Sequence, residues 1–421
     1  MEGIFGTNSW AEVKGEGQLF RAVADVQVRS VSPNSLPNHS FKTDIMPYTG
    51  FEQGPIRPPS EAKSLLIRAT RNCPWNRCTF CPVYKGEKYS RRPVEHVIRD
   101  IDAVHKHISM LKNSSEKAGA TPQSAVADID DSEKEAFYAA YAWFRNGMAS
   151  VFLQDANSLI MKSGDLTAIL LQIKNRFPEV KRITSYARSQ TIAKMEDEDM
   201  AELARAGLNR IHIGLESGSD CVLKAVKKGA TSAIHIEAGK RVKRAGIELS
   251  EYVMPGLGGR ERSVSHATDT AETLNRIDPD FIRIRTLAIP DYTELACDVR
   301  EGRVTACSES ELTQELYLFV DNLKGISSFV TSDHILNPFE DLEGKLPDNK
   351  EKMLRILKSY LDLDPQEQSM YLLGRRMGIF RSVSDMADSR KREHVAHTAW
   401  KWNVTPHNIN EVVAEIVKRF I

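Results

Sequence analysis

The segment Leu65-Leu-Ile-Arg-Ala-Thr-Arg-Asn-Cys73-Pro-Trp-Asn-Arg-Cys78-Thr-Phe-Cys81-Pro82 decides the fold of this chain. Its first six residues have the apolar character of a strand, and three cysteines follow that strand at once. Parallel α/β folds place their functional groups in the loops at the carboxyl ends of the strands. We therefore expect the cysteine loop to lie at the functional edge of a parallel sheet.

The three cysteines are spaced C-x4-C-x2-C. Clustered thiolates suit an iron–sulfur cluster or zinc. A zinc site needs a fourth Cys or His, and the nearest downstream histidine is His96. Three cysteines leave one iron of a cubane cluster open to a substrate or cofactor, whereas an electron carrier takes four. The pattern favours a catalytic cluster, and three buried structural cysteines are the alternative.

Strand and helix patterns alternate after the cysteine loop. The predicted strands are 65–70, 150–154, 182–186, 210–214, 247–253 and 281–285. The predicted helices are 93–111, 133–146, 163–176, 197–206, 219–228, 232–245 and 263–276. Six β segments with crossover helices between them predict a parallel sheet that is curved or closed into a partial or complete barrel.

The chain divides into three predicted regions. Residues 1–59 are an irregular lead-in, residues 60–290 are the α/β core, and residues 291–421 are a helical C-terminal extension. The extension is predicted to contain helices at 309–324, 348–362, 365–376 and 407–419. The polar stretch 113–132 is predicted to be an exposed insertion within the core.

Polar and glycine-rich segments stand at the ends of successive predicted strands. They are Ser185-Tyr-Ala-Arg188, Ile211-His-Ile-Gly-Leu-Glu216-Ser217-Gly218 and Met254-Pro-Gly-Leu-Gly-Gly259. Together with the cysteine loop they resemble the radical S-adenosylmethionine (radical SAM) superfamily over about residues 60–290. The similarity is to the subgroup of oxygen-independent coproporphyrinogen oxidase, the elongator-type enzymes and the methylthiotransferases. The superfamily's usual spacing is C-x3-C-x2-C, so this chain has one additional residue in the first gap.

The resemblance implies an enzyme with a partial (β/α)6 TIM-like barrel. Cys73, Cys78 and Cys81 would hold a [4Fe–4S] cluster as its catalytic and metal-binding residues. The cluster would cleave S-adenosylmethionine reductively to a 5′-deoxyadenosyl radical, which abstracts hydrogen from a substrate that the sequence does not identify. Arg188 would pair with the cofactor's carboxylate, and Glu216 would accept hydrogen bonds from its ribose. The further implied cofactor contacts are Phe80, Gln154, Asp155, Ser185 and Ser217.

Charge is balanced over the whole chain and concentrated around the cysteines. The 57 Lys and Arg residues equal the 57 Asp and Glu residues, which excludes a globally basic nucleic-acid clamp. Residues 57–99 contain ten basic and three acidic side chains, a net charge of +7. This segment predicts attraction to an anionic substrate or to a ferredoxin- or flavodoxin-type electron donor. A solvated loop balanced by acidic neighbours is the alternative, and no DNA or membrane partner is expected.

The remaining features are less specific. No apolar run reaches the ~20 residues of a membrane helix, and the N-terminus lacks a secretory signal, so we expect a cytoplasmic protein. Cys221, Cys297 and Cys307 form no second cluster motif, which disfavours methylthiotransfer. The loop Ser332-Asp333-His334 is a candidate to reach the substrate, with a structural role as the alternative. A non-catalytic iron–sulfur or zinc-binding redox or scaffold protein remains the alternative function.

Overall fold

Short strands follow the predicted order, and two of them form a separate ribbon. Within a computed structural model that describes residues 47–115 and 129–418, the strands are β1 (Leu65–Arg68), β2 (Thr70–Arg71), β3 (Ser90–Arg91), β4 (Ser150–Gln154), β5 (Arg182–Ala187), β6 (Leu208–Glu216), β7 (Glu248–Val253), β8 (Phe281–Ile284), β9 (Phe329–Thr331) and β10 (Gly344–Lys345). Strands β2 and β3 form the antiparallel ribbon. Most of the predicted lead-in and the centre of the predicted insertion at 113–132 lie outside the described residues.

The other eight described strands form one sheet in the order β1-β4-β5-β6-β7-β8-β9-β10. Each neighbouring pair from β1 to β9 is parallel, and β10 is antiparallel to β9. Neighbours in the sheet are therefore successive in the chain, as repeated β–α–β crossovers require. This arrangement confirms the α/β fold class and is consistent with a partial TIM-like barrel.

Helices connect the strands and cover one face of the sheet. They are α1 (Val94–Ser115), α2 (Lys134–Arg145), α3 (Ser163–Arg176), α4 (Ser189–Ile192), α5 (Asp197–Arg205), α6 (Asp220–Ala225), α7 (Ser232–Arg244), α8 (Gly259–Ile277), α9 (Glu294–Arg300), α10 (Glu309–Asn322), α11 (Lys350–Leu361), α12 (Pro365–Arg376), α13 (Ser389–Lys401) and α14 (Ile409–Val417). Helix α1 packs on β1, and α7 packs on β7. None of the helices within the described ranges is long and apolar enough to cross a membrane.

The other face of the sheet carries aromatic side chains. Phe152, Tyr186, His212 and Tyr252 project from β4, β5, β6 and β7 and contact one another, with ring centroids 5.2 Å apart for Phe152 and Tyr186. These side chains fill the barrel interior. They form the floor of the space at the carboxyl ends of the strands.

A buried ion-pair network closes the opposite end of the barrel. Glu61, in the turn before β1, is fully buried, and its carboxylate accepts a hydrogen bond from Ser64 Oγ at 2.5 Å. Arg182 Nη2 lies 3.2 Å and His212 Nε2 lies 3.4 Å from the same carboxylate. Contacts with His212 and Ser64 and the charge of Arg182 outweigh burial and lower the pKa of Glu61 to about 2.

The C-terminal region is less purely helical than the sequence indicated. Helices α10, α11 and α12 confirm the predicted helices of residues 309–324, 348–362 and 365–376. The sequence analysis predicted no strand after residues 281–285, whereas β9 pairs in parallel with β8 and β10 pairs with β9. Strands of two or three residues are too short to show a periodic pattern.

Candidate functional site

A cavity of about 310 Å³ opens where the strands end. The cysteine loop forms one wall, and residues that follow β5, β6, β7 and β8 form the rest. Cys73, Cys78 and Cys81 all line this cavity, and each is a free, partly exposed thiol. The structure therefore places the cysteines at the edge of the sheet that the sequence predicted.

Asp155, directly after β4, fixes both ends of the cysteine loop. Its buried carboxylate accepts a hydrogen bond from the backbone N–H of Asn72 at 2.9 Å, just before the first cysteine. It also accepts a hydrogen bond from the hydroxyl of Tyr84, just after the last cysteine. Arg68 Nη2 pairs with the same carboxylate at 2.7 Å. These contacts hold the loop that carries the three thiols against the end of β4.

A short stretch before β1 neutralises part of the basic segment. Glu52 accepts hydrogen bonds from Arg68 Nη1 and from Arg71 Nη2, both at 2.7 Å. Arg92 Nη1 pairs with the buried carboxylate of Asp100 at 2.6 Å. Local carboxylates therefore balance three of the basic residues. Seven others are exposed: Arg57, Lys63, Arg77, Lys85, Lys88, Arg91 and Arg99.

Arg188, at the end of β5, lines the cavity on the cysteine side. Its guanidinium lies 5.0 Å from the centre of the Trp75 ring and donates a hydrogen bond to the carbonyl of Lys228 at 2.9 Å. Burial lowers the pKa of Arg188, and the nearby thiols of Cys73 and Cys78 act in the opposite direction. A cation held at this position in the cavity is suited to balance an anionic group.

Glu216, at the end of β6, lines the same cavity. The strand has a register shift there, and Glu216 has a φ of 63°, which turns its side chain out of the regular pleat. A Cβ at Gly214 would collide with the Glu216 carboxylate, so the glycine makes room for it. Lys228 Nζ lies 3.0 Å from Glu216 Oε1. The sequence analysis missed Lys228, because it lies in a turn with no motif around it.

The other predicted cofactor residues divide into two groups. Phe80 lines the cavity and packs with Val222 and Leu257. Four others do not line the cavity: Gln154, Asp155, Ser185 and Ser217. Gln154 exchanges hydrogen bonds with the backbone of Gly54 and Ile56, and Ser217 Oγ lies 2.8 Å from His266 Nδ1. These polar groups already have partners within the chain.

The predicted loop at 332–334 contributes one residue to the cavity. Ser332 donates its hydroxyl hydrogen bond to the carbonyl of Phe339 at 2.5 Å, and Asp333 pairs with Arg283 at 2.8 Å. His334 lines the cavity, where burial and the charge of Arg285 lower its pKa to about 4. Ser332 and Asp333 therefore make structural contacts, whereas His334 faces the cavity.

The donor set fits an iron–sulfur cluster. Three soft thiolates are the ligands that such clusters take, and Arg188 and Lys228 supply positive charge beside them. Across residues 47–115 and 129–418, no three His, Cys, Asp or Glu side chains have the arrangement of a single-ion site.

Comparisons with known proteins point to one superfamily. The family model of the Radical SAM superfamily matches residues 122–266, which begin after the cysteine loop. A curated relative, 4′-phospho-dehydrooxetanocin synthase from Priestia megaterium, is 25% identical over 228 residues, 51% of this chain and 27% of that protein. The chain thus spans about a quarter of this relative's length.

Solved structures are similar at lower identity. The radical SAM methyltransferase TsrM from Kitasatospora setae, with cobalamin and a [4Fe–4S] cluster bound, is 15% identical with a TM-score of 0.42, over 62% of this chain and 44% of TsrM. Coproporphyrinogen III oxidase HemN from Escherichia coli is 12% identical with a TM-score of 0.40, over 62% of this chain and 52% of HemN. The family match thus shows that residues 122–266 of this chain are similar to the Radical SAM superfamily, whose members are enzymes that use a [4Fe–4S] cluster and S-adenosylmethionine.

Proposed function

We propose that this chain binds a [4Fe–4S] cluster through Cys73, Cys78 and Cys81 and uses it with S-adenosylmethionine to abstract hydrogen from a substrate. The observation that carries the proposal is that all three free thiols line one cavity with Arg188 and Glu216. When bound, the cluster and S-adenosylmethionine supply one-electron reductive chemistry that generates a hydrogen-abstracting radical.

Different residues around the thiols bind different groups of the cofactor. Arg188 offers a guanidinium to the cofactor's carboxylate, which it can bind through two parallel hydrogen bonds. Glu216 offers carboxylate oxygens to the ribose hydroxyls, and Lys228 holds that carboxylate in place from 3.0 Å. Phe80 provides an apolar surface for the adenine.

The walls of the cavity protect reactive chemistry from water. Tyr186 and Tyr252 line it from the barrel interior, where Tyr252 is 7% exposed. Leu336 and Pro290 line it from the C-terminal region and the turn after β8. Apolar walls of this kind limit the contact of a reactive species with solvent.

An acidic one-electron donor, of the ferredoxin or flavodoxin type, is our proposal for the redox partner. Arg77, Lys85 and Lys88 lie exposed on or just after the cysteine loop, so their charge is next in sequence to the residues that would hold the cluster. Lys63 is equally exposed but precedes β1, at the other end of the barrel. We also propose a cytoplasmic location, because thiolate ligands need a reducing compartment.

Charge reversal tests this docking surface. The double variant Arg77→Glu/Lys88→Glu is expected to slow cluster reduction by an acidic donor, most strongly at low ionic strength, while dithionite still reduces it. Lys63→Glu is the control and should leave the rate unchanged. Equal rates in all three proteins would exclude this surface as the docking site.

The relative from Priestia megaterium is by name a synthase of a phosphorylated product. Since the chain spans 27% of that protein, its reaction is not transferred to this chain. The substrate that we propose is a molecule that enters the same cavity as the cofactor.

Cluster spectroscopy tests the proposal. After anaerobic reconstitution we expect about four irons per chain and an electron paramagnetic resonance spectrum of the reduced cluster that changes when S-adenosylmethionine is added. Cys73→Ala, Cys78→Ala and Cys81→Ala should each lose this response, and Cys221→Ala, an exposed thiol, should keep it. A spectrum insensitive to the cofactor would instead support an electron-transfer or scaffold protein, and zinc in place of iron would support a zinc protein.

A further inference from the structure

The cavity contains, directly after β8, a cation without a partner among the described residues. Arg285 follows β8, lines the cavity and is exposed. Its guanidinium forms no hydrogen bond or ion pair with any residue of 47–115 or 129–418. Arg283, two positions earlier, differs: its Nε donates to Ser250 Oγ at 3.0 Å and its Nη1 pairs with Asp333 at 2.8 Å. Arg285 is therefore available to a ligand.

His334 supplies a second donor beside this cation. Its Nδ1 accepts a hydrogen bond from the backbone N–H of Leu336 at 3.3 Å, so the ring proton of the neutral imidazole is on Nε2. The charge of Arg285 reaches this ring and, with burial, lowers the pKa of His334 to about 4. At neutral pH His334 thus offers an uncharged N–H group next to Arg285.

The acidic side chains of the cavity do not compensate for these donors. Among the described residues that line it, Glu216 is the one carboxylate, and it is paired with Lys228. The cavity thus combines an unpaired guanidinium with an imidazole N–H, a pair that binds anionic oxygen.

We propose that Arg285 and His334 bind an anionic oxygen group of the substrate, either a phosphate monoester or a carboxylate. This site is separate from Arg188, because Arg188 follows β5 and Arg285 follows β8, three strands further along the sheet. The assignment rests on the proposed function in one respect: the cofactor must occupy the cysteines and Arg188, which leaves Arg285 to the substrate.

Titration calorimetry with inorganic phosphate and, separately, acetate tests the proposal. The protein is the full chain with its cluster in the oxidised state and with saturating S-adenosylmethionine, so that no turnover occurs and the cofactor side is filled. We expect saturable binding of one or both anions. Arg285→Gln should weaken it roughly 10- to 100-fold, the contribution of hydrogen bonds to a charged group. Arg285→Lys should retain most of it.

Matched variants distinguish a loss of anion binding at the cavity from a loss caused by any change in charge. Arg381→Gln removes an exposed arginine outside the cavity and should bind the anions as the parent does. His334→Phe removes the N–H donor and should weaken binding, whereas His334→Gln, which keeps an N–H group, should weaken it less. A preference for phosphate over acetate assigns a phosphate monoester, and the reverse assigns a carboxylate.

Two outcomes would overturn the proposal: no saturable binding of either anion, or equal binding by Arg285→Gln and the parent. Cluster loading and the cofactor-dependent spectrum are measured on the same samples. A failure of the proposed function therefore appears as a missing cluster or cofactor response, and a failure of this inference appears as unchanged anion binding in a loaded protein.

Discussion

The carboxylate of Asp155 accepts a hydrogen bond from the backbone N–H of Asn72 across 2.9 Å. Because it also accepts the hydroxyl of Tyr84, one buried side chain holds the cysteine loop on both sides. The positions of the three thiols therefore depend on a residue that is not itself a ligand. Asp155 lies behind the cavity wall, where it acts as a positioning residue.

Replacement of Asp155 by Ala should release the loop and lower both stability and iron content. Removing one partner of a buried ion pair typically costs about 3–5 kcal/mol. Since Arg68 retains Glu52 as a second partner at 2.7 Å, we expect the lower end of this range, about 3 kcal/mol. Chemical denaturation measures the free energy of unfolding, and iron analysis after reconstitution measures cluster binding.

Two further variants make this test specific. Asp155→Asn keeps an oxygen acceptor for the N–H of Asn72 and should retain more iron than Asp155→Ala. Asp348→Asn changes an exposed carboxylate far along the chain and should behave as the parent does. Full iron content in Asp155→Ala would show that the loop holds its shape without this contact.

Glu216→Gln should weaken the binding of S-adenosylmethionine and leave the cluster in place. Exchanging the carboxylate for an amide removes a charge-assisted acceptor, which corresponds to roughly 10- to 100-fold in Kd. Equilibrium dialysis with the reconstituted protein measures this change. Glu248→Gln, on the exposed start of β7, is the control. An unchanged Kd in Glu216→Gln would remove Glu216 from the cofactor site.

Gly214→Ala should reproduce the effect of Glu216→Gln, although it changes no functional group. The added Cβ occupies the place of the Glu216 carboxylate and forces it to move. We expect a weaker affinity for S-adenosylmethionine with an intact cluster. Gly164→Ala, in the first turn of α3 with open space around it, should have no such effect. Parent-like affinity in Gly214→Ala would mean that the Glu216 position is not critical.

The network at the closed end of the barrel makes stability depend on pH. The pKa of Glu61 is lowered to about 2 from its ordinary 4.5, and burial lowers the pKa of His212 to about 4 from 6.5. For both residues the pKa in the folded state lies below the pKa in the unfolded state. Each residue therefore contributes its full stabilisation above its unfolded pKa and loses it as the pH falls through its folded pKa. Stability should decline below about pH 6.5 and more steeply below about pH 4.5.

Urea denaturation across this pH range measures the decline. Glu61→Gln should be less stable than the parent at neutral pH and should lose less stability below about pH 4.5, because the titrating carboxyl is gone. Glu343→Gln, an exposed carboxylate, is the control. Parallel pH curves for the parent and Glu61→Gln would contradict the assignment.

Periodicity and strand-end position account for what the sequence could predict. The strands that carry Arg188 and Glu216 show clear apolar patterns, and the parallel topology brings their ends to the cysteine loop. Gln154 is different, because its amide is bound by Gly54 and Ile56, nearly a hundred positions earlier in the chain. Such long-range pairing leaves no local signal.

The residues that the sequence analysis missed have the same physical explanation. Lys228 lies in a turn after α6, and its significance comes from the 3.0 Å contact with Glu216. Arg285 differs from Arg283 only in its surroundings, since one guanidinium is paired and the other is not. Both properties arise from tertiary packing, and neither is encoded in a motif.

The most direct test of the central claim is the formation of 5′-deoxyadenosine. The anaerobically reconstituted protein is reduced with dithionite, supplied with S-adenosylmethionine and assayed by chromatography and mass spectrometry, with Cys78→Ala as the matched control. We expect 5′-deoxyadenosine from the parent protein, even as a slow abortive reaction without substrate, and none from Cys78→Ala. A parent protein with a full, reduced cluster that forms no 5′-deoxyadenosine would contradict the account.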